Sequence, residues 1–218
     1  MTEYNFLLIR IAGITFRIYT QHVFNANTFH SKLHPFIVSE SGEDVIDLKY
    51  YFSLPAVTKH QSNSLVYYRP PWRIYCVDDV YIYEGLGGNV HNSVYQVGKI
   101  YFEKKKIEIY FPDTNFIERG NLETITLIPT DQIILAPILA ERQACLIHSA
   151  GLIFNGAGFL FVGHSEAGKS TMVKLLRDES EILCDDRIIL RRWPDGIKIH
   201  GTWSHGEIPD VSPASAPL

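Results

Sequence analysis

The residues with the clearest chemistry form one short glycine-bounded run in the last third of the chain. The run consists of a glycine, four other residues, and then glycine, lysine and serine. This pattern is typical of loops that bind phosphate through backbone N–H groups. The glycines let successive N–H groups turn inward, the helix that follows adds its positive end, and the lysine adds a full charge. A glycine-rich turn without a ligand is the structural alternative. The predicted phosphate-binding residues are Gly163, His164, Ser165, Glu166, Ala167, Gly168, Lys169, Ser170 and Thr171.

Two adjacent carboxylates, Asp185 and Asp186, follow an apolar segment a short distance after this run. One carboxylate there could ligate Mg²⁺ together with the Ser170 hydroxyl, and the other could accept a proton from an attacking hydroxyl. The sequence leaves open which carboxylate has which role. A turn in which Arg187 forms a salt bridge is the structural alternative.

Histidines near these motifs are further candidates. His148 lies fifteen residues before Gly163 and has either a structural or a catalytic role. His200 and His205 flank a loop that could contact a substrate. Their spacing would also suit two zinc ligands, but no cysteine pair precedes them to complete such a site.

The elements around the motifs follow a pattern of strand, turn, helix and strand. Four apolar residues at Phe159–Val162 predict a strand buried on both faces, directly before the glycine-rich run. Helices are predicted at Thr171–Asp178 and, earlier, at Asp131–Gln143. Further strands are predicted near Ile182, Ile188 and Ile197, before a loop-like tail at Val211–Leu218.

The first part of the chain is predicted to be antiparallel and β-rich, because it is dense in β-branched and aromatic residues. We predict two domains, residues 1–140 and 141–218. The basic run Lys104–Lys106 is predicted to lie on a solvated strand face, and a binding patch is the alternative. Candidate strands in this part are Phe6–Tyr19, Asp44–Tyr51, Trp72–Tyr83, Val94–Phe111 and Glu123–Ile128.

Composition and charge exclude several classes of protein. The 218 residues are 46% hydrophobic and 20% charged, which excludes disordered, collagenous and coiled-coil chains. No apolar run approaches the ~20 residues that cross a bilayer, and the N-terminus lacks a signal-peptide pattern. We therefore expect a cytoplasmic protein without a membrane partner. The net charge of −4 argues against nucleic acid as the main partner.

Three motifs together resemble the HPr kinase/phosphorylase family: Ile147–Gly151, the run Gly163–Ser170, and Cys184–Arg187. The resemblance covers about residues 140–205. It implies an α+β or α/β chain in which a β-rich N-terminal region precedes a partial P-loop domain. That domain would have the nucleotide-binding fold of ATP-dependent phosphoenolpyruvate carboxykinase. The resemblance also implies ATP and Mg²⁺ as cofactors, and transfer of the γ-phosphoryl group to a Ser or Thr hydroxyl of a protein or peptide.

The resemblance also assigns roles to residues. Lys169 would bind phosphate and Ser170 the metal, while Asp185 and Asp186 would divide metal binding and proton acceptance. His148 would lie near the transferring phosphate. Thr171 departs from the family, which usually carries glutamate there. Only 48 residues follow Ser170, so we expect that the chain is truncated, or that a second copy or another polypeptide completes its sheet.

Three other functions remain open. The chain could be a nucleotide-binding regulatory or assembly protein without transferase activity, or a small NTPase that uses water as the nucleophile. Alternatively, the β-rich front binds a partner, and its tyrosines suit an interface as well as a core.

Overall fold

The computed structural model describes residues 5–56, 64–87, 93–126 and 131–218. The chain is a mixed, strand-rich protein with 47% strand and 15% helix, which confirms the coarse fold class predicted from the sequence. It forms two compact units. The first unit comprises Met1–Leu8, Thr15–His30 and Glu40–Asp131, and the second comprises Ile9–Ile14, Ser31–Ser39 and Gln132–Leu218. The predicted domain boundary at residue 140 stays a prediction.

The front of the chain forms a nine-stranded sheet. Its strands are β1 (Asn5–Ile11), β2 (Ile14–Thr20), β3 (Ile37–Val38), β4 (Asp44–Tyr51), β5 (Leu65–Arg69), β6 (Trp72–Val77), β7 (Val80–Leu86), β8 (Val94–Tyr101) and β9 (Lys106–Tyr110). They lie in the order β3-β1-β2-β4-β9-β8-β7-β6-β5. A short 3₁₀ helix covers Ser31–Phe36, and helix α1 covers Asn115–Arg119.

The predicted antiparallel front is wrong at one strand pair, because β4 and β9 run parallel. Strands β5 to β9 form an antiparallel meander that starts at the far edge of the sheet and returns to β4. The edge strand β5 is unusual in that all five of its residues are exposed.

Three of the predicted strands are in fact hairpins: Phe6–Tyr19, Trp72–Tyr83 and Val94–Phe111. Two turns contain consecutive residues with positive φ, Ala12 (49°) and Gly13 (78°) in one, Asp78 (48°) and Asp79 (61°) in the other. Such pairs are typical of two-residue hairpin turns. The turn between β8 and β9 also contains a residue with positive φ, Lys105 at 46°. The predicted strand Glu123–Ile128 is irregular over its described residues, and its last two residues lie outside the described part.

The second unit contains a six-stranded sheet and two helices. Its elements are α2 (Gln132–Ala140), β10 (Ala144–Phe154), β11 (Ala157–Val162), α3 (Lys169–Leu176), β12 (Glu181–Cys184), β13 (Arg187–Trp193), β14 (Gly196–His200) and β15 (Ser215–Pro217). The order is β11-β10-β13-β14-β15, with β12 paired to β10. The long strand β10 pairs with β13 through its first half and with β11 and β12 through its second half. Both predicted helices are confirmed within three residues.

Two strand predictions in this unit are wrong. Strand β11 is an edge strand in which Phe159 and Val162 are 43% and 67% exposed, so it is not buried on both faces. The tail predicted as a loop contains the short strand β15, which pairs antiparallel with β14.

Among the described residues, two clusters of buried side chains lie in the core of the unit. One is Ala150, Leu152, Val173, Ile182 and Ile208, and the other is Leu183, Cys184, Ile188 and Ile199. No helix in the described parts of the chain combines the length and apolarity needed to cross a bilayer.

Candidate functional site

The glycine-rich run forms a tight loop between β11 and α3. A Cβ atom on Gly163 would lie 2.8 Å from the Ala167 Cβ, so the loop closes only because residue 163 has no side chain. Gly168 has φ of +88°, a left-handed conformation that favours glycine, and helix α3 begins at the next residue. The sequence therefore specifies a loop that returns on itself at the N-terminus of a helix.

The ammonium group of Lys169 lies within this loop. Its Nζ donates to the backbone carbonyl oxygens of Gly163 and His164, at 3.0 Å each. The first N–H groups of a helix lack intrahelical partners, and the helix dipole is positive at that end. The loop thus combines a full positive charge with the N-terminal end of α3, which is an arrangement suited to a phosphate group.

Asp185 is buried, and three donors hold its carboxylate. The Gly206 N–H donates to Oδ1 at 2.6 Å, and the Ile208 N–H donates to Oδ2 at 3.0 Å. The Ser170 hydroxyl donates to Oδ2 at 3.3 Å. Mg²⁺ prefers oxygen ligands such as a hydroxyl and a carboxylate. The Ser170 and Asp185 side chains therefore fit the metal that the sequence predicts.

Asp186 has a different environment, because it lies beside His148 and Arg187. The His148 Nδ1 atom lies 3.0 Å from Asp186 Oδ1, and Arg187 Nη1 lies 3.3 Å from the same oxygen. Arg187 Nη1 also contacts the His148 ring. The register of β10 with β13 sets His148 opposite Arg187, and the Ser149 N–H donates to the Asp186 carbonyl at 3.1 Å. The backbone pairing therefore brings the three side chains together.

These groups surround one cavity of about 450 Å³, a size typical of small-molecule sites. Of the residues predicted from the sequence, nine line it: His148, Ser165, Glu166, Gly168, Lys169, Ser170, Thr171, Asp185 and Asp186. The other three, Gly163, His164 and Ala167, belong to the loop but do not line the cavity. Through their backbone, Gly163 and His164 instead hold Lys169.

A loop after β14 supplies residues that the sequence did not single out. Gly206 and Glu207 line the cavity, and Ile208 helps to hold Asp185. The Gly206 position has little space for a side chain, because a Cβ there would lie 3.2 Å from Asp185 Oδ2. In the sequence, the glycine among the polar residues of this loop was the signal that could have indicated its role.

The residues that open this loop have structural roles. Trp203 is buried, and its ring meets the Phe36 ring edge to face at 5.2 Å. His200 is also buried and its Nε2 accepts a hydrogen bond from Trp193 Nε1 at 3.1 Å. Burial, together with the positive charges of Arg191 and Lys198, lowers the pKa of His200 to about 4. The imidazole is therefore neutral near pH 7.

No group of three or more His, Cys, Asp or Glu side chains in the described ranges is arranged to hold a metal ion. The Ser170 and Asp185 pair could hold Mg²⁺ only with further ligands, such as nucleotide phosphates and water, which is how Mg²⁺ usually binds.

Fold and site together define a strand-rich mixed protein in which a glycine-rich loop and its lysine lie beside two carboxylates. No family model, curated protein or solved structure matches the chain.

Proposed function

We propose that this chain binds ATP with Mg²⁺ and transfers the γ-phosphoryl group to a Ser or Thr hydroxyl of a protein or peptide, as the HPr kinase-related family does. The observation that carries the proposal is the Ser170–Asp185 contact beside the His148–Asp186 pair in one cavity. On this proposal the second unit is a P-loop domain of the phosphoenolpyruvate carboxykinase type, and the protein acts in the cytoplasm.

Lys169 and the loop would bind the phosphates. Phosphoryl transfer depends mainly on positioning and on neutralising charge. When a nucleotide binds, the ammonium group exchanges two neutral carbonyl acceptors for charged phosphate oxygens, which form stronger hydrogen bonds. Ser170 and Asp185 would hold Mg²⁺, which neutralises phosphate charge when it is bound.

Asp186 would accept the proton of the attacking hydroxyl. Its side chain is 29% exposed, whereas Asp185 is 3% exposed and both of its oxygens already accept backbone N–H groups. His148 and Arg187 hold the Asp186 carboxylate in place and leave it open to the cavity. Two neighbouring aspartates would thus divide the roles that the sequence left open.

Nucleotide binding is the first test of the proposal. We expect isothermal titration calorimetry to show micromolar binding of ATP with Mg²⁺, and Lys169→Ala to abolish it. Lys198→Ala is the matched control, because Lys198 pairs with Asp195 and neither residue lines the cavity. The proposal fails if the wild type does not bind, or if both variants lose binding equally.

Phosphoryl transfer is the second test. Single-turnover transfer from γ-labelled ATP to an array of serine and threonine peptides should label hydroxyl-bearing peptides and not their alanine counterparts. Thr171 lines the cavity where the resembling family carries glutamate, and this favours one rival, a nucleotide-binding regulatory protein. ATP binding without transfer or hydrolysis would select that rival.

A further inference from the structure

The first unit carries a polar sheet face formed by strands β4, β9 and β8. The register aligns Lys49, Glu108 and Lys99 in one row across the three strands, and Asp47, Lys106 and Tyr101 in the next. The opposite face of the same strands is apolar and buried, including Leu48, Ile100 and Ile107. We call this surface the lysine–tyrosine face; it comprises Asp47, Lys49, Tyr51, Lys99, Tyr101, Lys104, Lys106, Glu108 and Tyr110.

One carboxylate organises the centre of this face. Glu108 accepts hydrogen bonds from the hydroxyls of Tyr110 at 2.7 Å and Tyr101 at 2.9 Å, and it pairs with Lys106 at 2.6 Å. Burial and the hydrogen bond to Glu108 raise the pKa of Tyr101 to about 12. The phenol groups therefore remain protonated and neutral at physiological pH.

Positive charge exceeds negative charge on the lysine–tyrosine face. The face carries four lysines, of which Lys106 pairs with Glu108, and Glu103 is a further acidic residue in the adjoining turn. With Asp47 offset by Arg17, the excess is two charges. Nearby acidic residues have cations of their own. Asp47 pairs with Arg17 at 2.8 Å and Asp44 with Lys105 at 3.4 Å, while on the neighbouring strands Glu84 pairs with Arg73 at 2.7 Å.

The lysines are held over aromatic rings. The Nζ atoms of Lys49, Lys99 and Lys106 each lie 5.2 Å from the ring centroid of a tyrosine, and that of Lys104 lies 5.8 Å from the Tyr101 centroid. Cation–π contacts of this kind restrain long side chains, so ordering them on binding costs less entropy. The face presents a preorganised group of ammonium charges.

From this arrangement we propose that the lysine–tyrosine face docks an acidic polypeptide segment. An excess of positive charge complements carboxylates, and half-exposed tyrosines are common at protein interfaces. Single-stranded nucleic acid fits less well, because it needs ring faces for base stacking. Here the Tyr51 and Tyr110 rings stack on each other at 4.7 Å, and the lysines cover the tyrosine rings. The proposal does not depend on the nucleotide site.

Fluorescence anisotropy at low ionic strength tests this proposal without nucleotide. The probe is a fluorescein-labelled dodecapeptide of alternating Glu and Ser, compared with the same peptide carrying Gln in place of Glu. We expect Lys99→Gln with Lys104→Gln to weaken binding of the acidic peptide about tenfold, because two complementary charges are removed. The control is Lys32→Gln with Lys174→Gln, which removes the same charge from the second unit and should change binding less than about twofold.

Three results would overturn the proposal. The first is equal affinity for the Glu and Gln peptides, including no binding of either. The second is equal weakening by the two double variants, which circular dichroism should show to be folded. The third is a labelled twelve-nucleotide oligothymidine that binds as tightly as the acidic peptide, because that would identify a general anion surface.

Discussion

Asp185 and Asp186 are neighbours in the chain, yet their surroundings predict different responses to the same substitution. We expect Asp186→Asn to lower single-turnover phosphoryl transfer by about 10²- to 10⁴-fold and to leave ATP binding intact, because a proton acceptor is lost.

We expect Asp185→Asn to lower the free energy of unfolding by about 1–3 kcal/mol. An amide has one acceptor oxygen, so either the Gly206 or the Ile208 N–H would lose its acceptor.

Calorimetry, transfer assays and urea denaturation separate these two effects. Asp195→Asn is a suitable control, since it makes the same substitution at an exposed carboxylate that does not line the cavity. Full transfer by Asp186→Asn would rule out its role as proton acceptor, and unchanged stability of Asp185→Asn would contradict the hydrogen bonds described for its carboxylate.

The buried imidazole of His200 should make the free energy of unfolding depend on pH. Its pKa is about 4 in the folded chain and about 6.5 when unfolded, so protonation favours the unfolded chain. The stabilisation is complete above about pH 6.5 and is lost as the pH falls towards 4. We expect the free energy of unfolding to fall by up to about 1.4 kcal/mol per pH unit in this range.

The variant His200→Gln isolates this effect from that of the carboxylates, because its amide oxygen can still accept the Trp193 N–H. The difference between wild type and variant should shrink steadily from pH 7 to pH 4 in urea titrations. A constant difference across this range would show that His200 does not titrate as its burial implies.

The conformation of the glycine-rich loop before α3 can be tested with two glycines. Gly168 (φ +88°) and Gly156 (φ +78°) both have left-handed backbone and open space where a Cβ would lie. Alanine at either position should cost about 1 kcal/mol of stability. We expect only Gly168→Ala to weaken binding of ATP as well, because Gly156 lies in the turn between β10 and β11.

The ATP affinities of the two variants can be compared by calorimetry, since both variants should lose about the same stability. Equal ATP affinity in the two variants would show that the start of α3 does not contribute to the site.

The local elements of the site were more predictable than their assembly. The strand, the loop and helix α3 follow from a continuous pattern of residues, so the sequence located them closely. The contact of His148 with Asp186 depends on the register between β10 and β13, which joins residues 38 positions apart. The amides that hold Asp185 belong to a loop with no side-chain motif. Hairpins were missed where a pair such as Asp78 and Asp79 adopts positive φ without glycine.

The second unit is assembled from three separate stretches of the chain. Two stretches from the front supply specific partners: Phe36 packs against the buried Trp203, and the Ala12 carbonyl accepts a hydrogen bond from Arg191 Nη1 at 2.6 Å. We therefore expect an isolated fragment 132–218 to remain unfolded, because those partners are missing.

Dispersion of the amide signals in a ¹H–¹⁵N spectrum of the fragment would test this expectation. In the full chain, Phe36→Ala should lower the free energy of unfolding by about 3–5 kcal/mol, since it opens a cavity beside Trp203. A well-dispersed spectrum from the fragment would show that the front stretches are dispensable for folding.

Strand β5 has a practical consequence for anyone who handles this protein. Leu65, Val66, Tyr67 and Tyr68 are each at least 44% exposed, and among the described residues the strand is the last of its sheet. Such an edge is a template on which other chains can add strands. Concentrated stocks should therefore turn cloudy with time, and Tyr67→Lys should extend their storage life by placing a charge on that template.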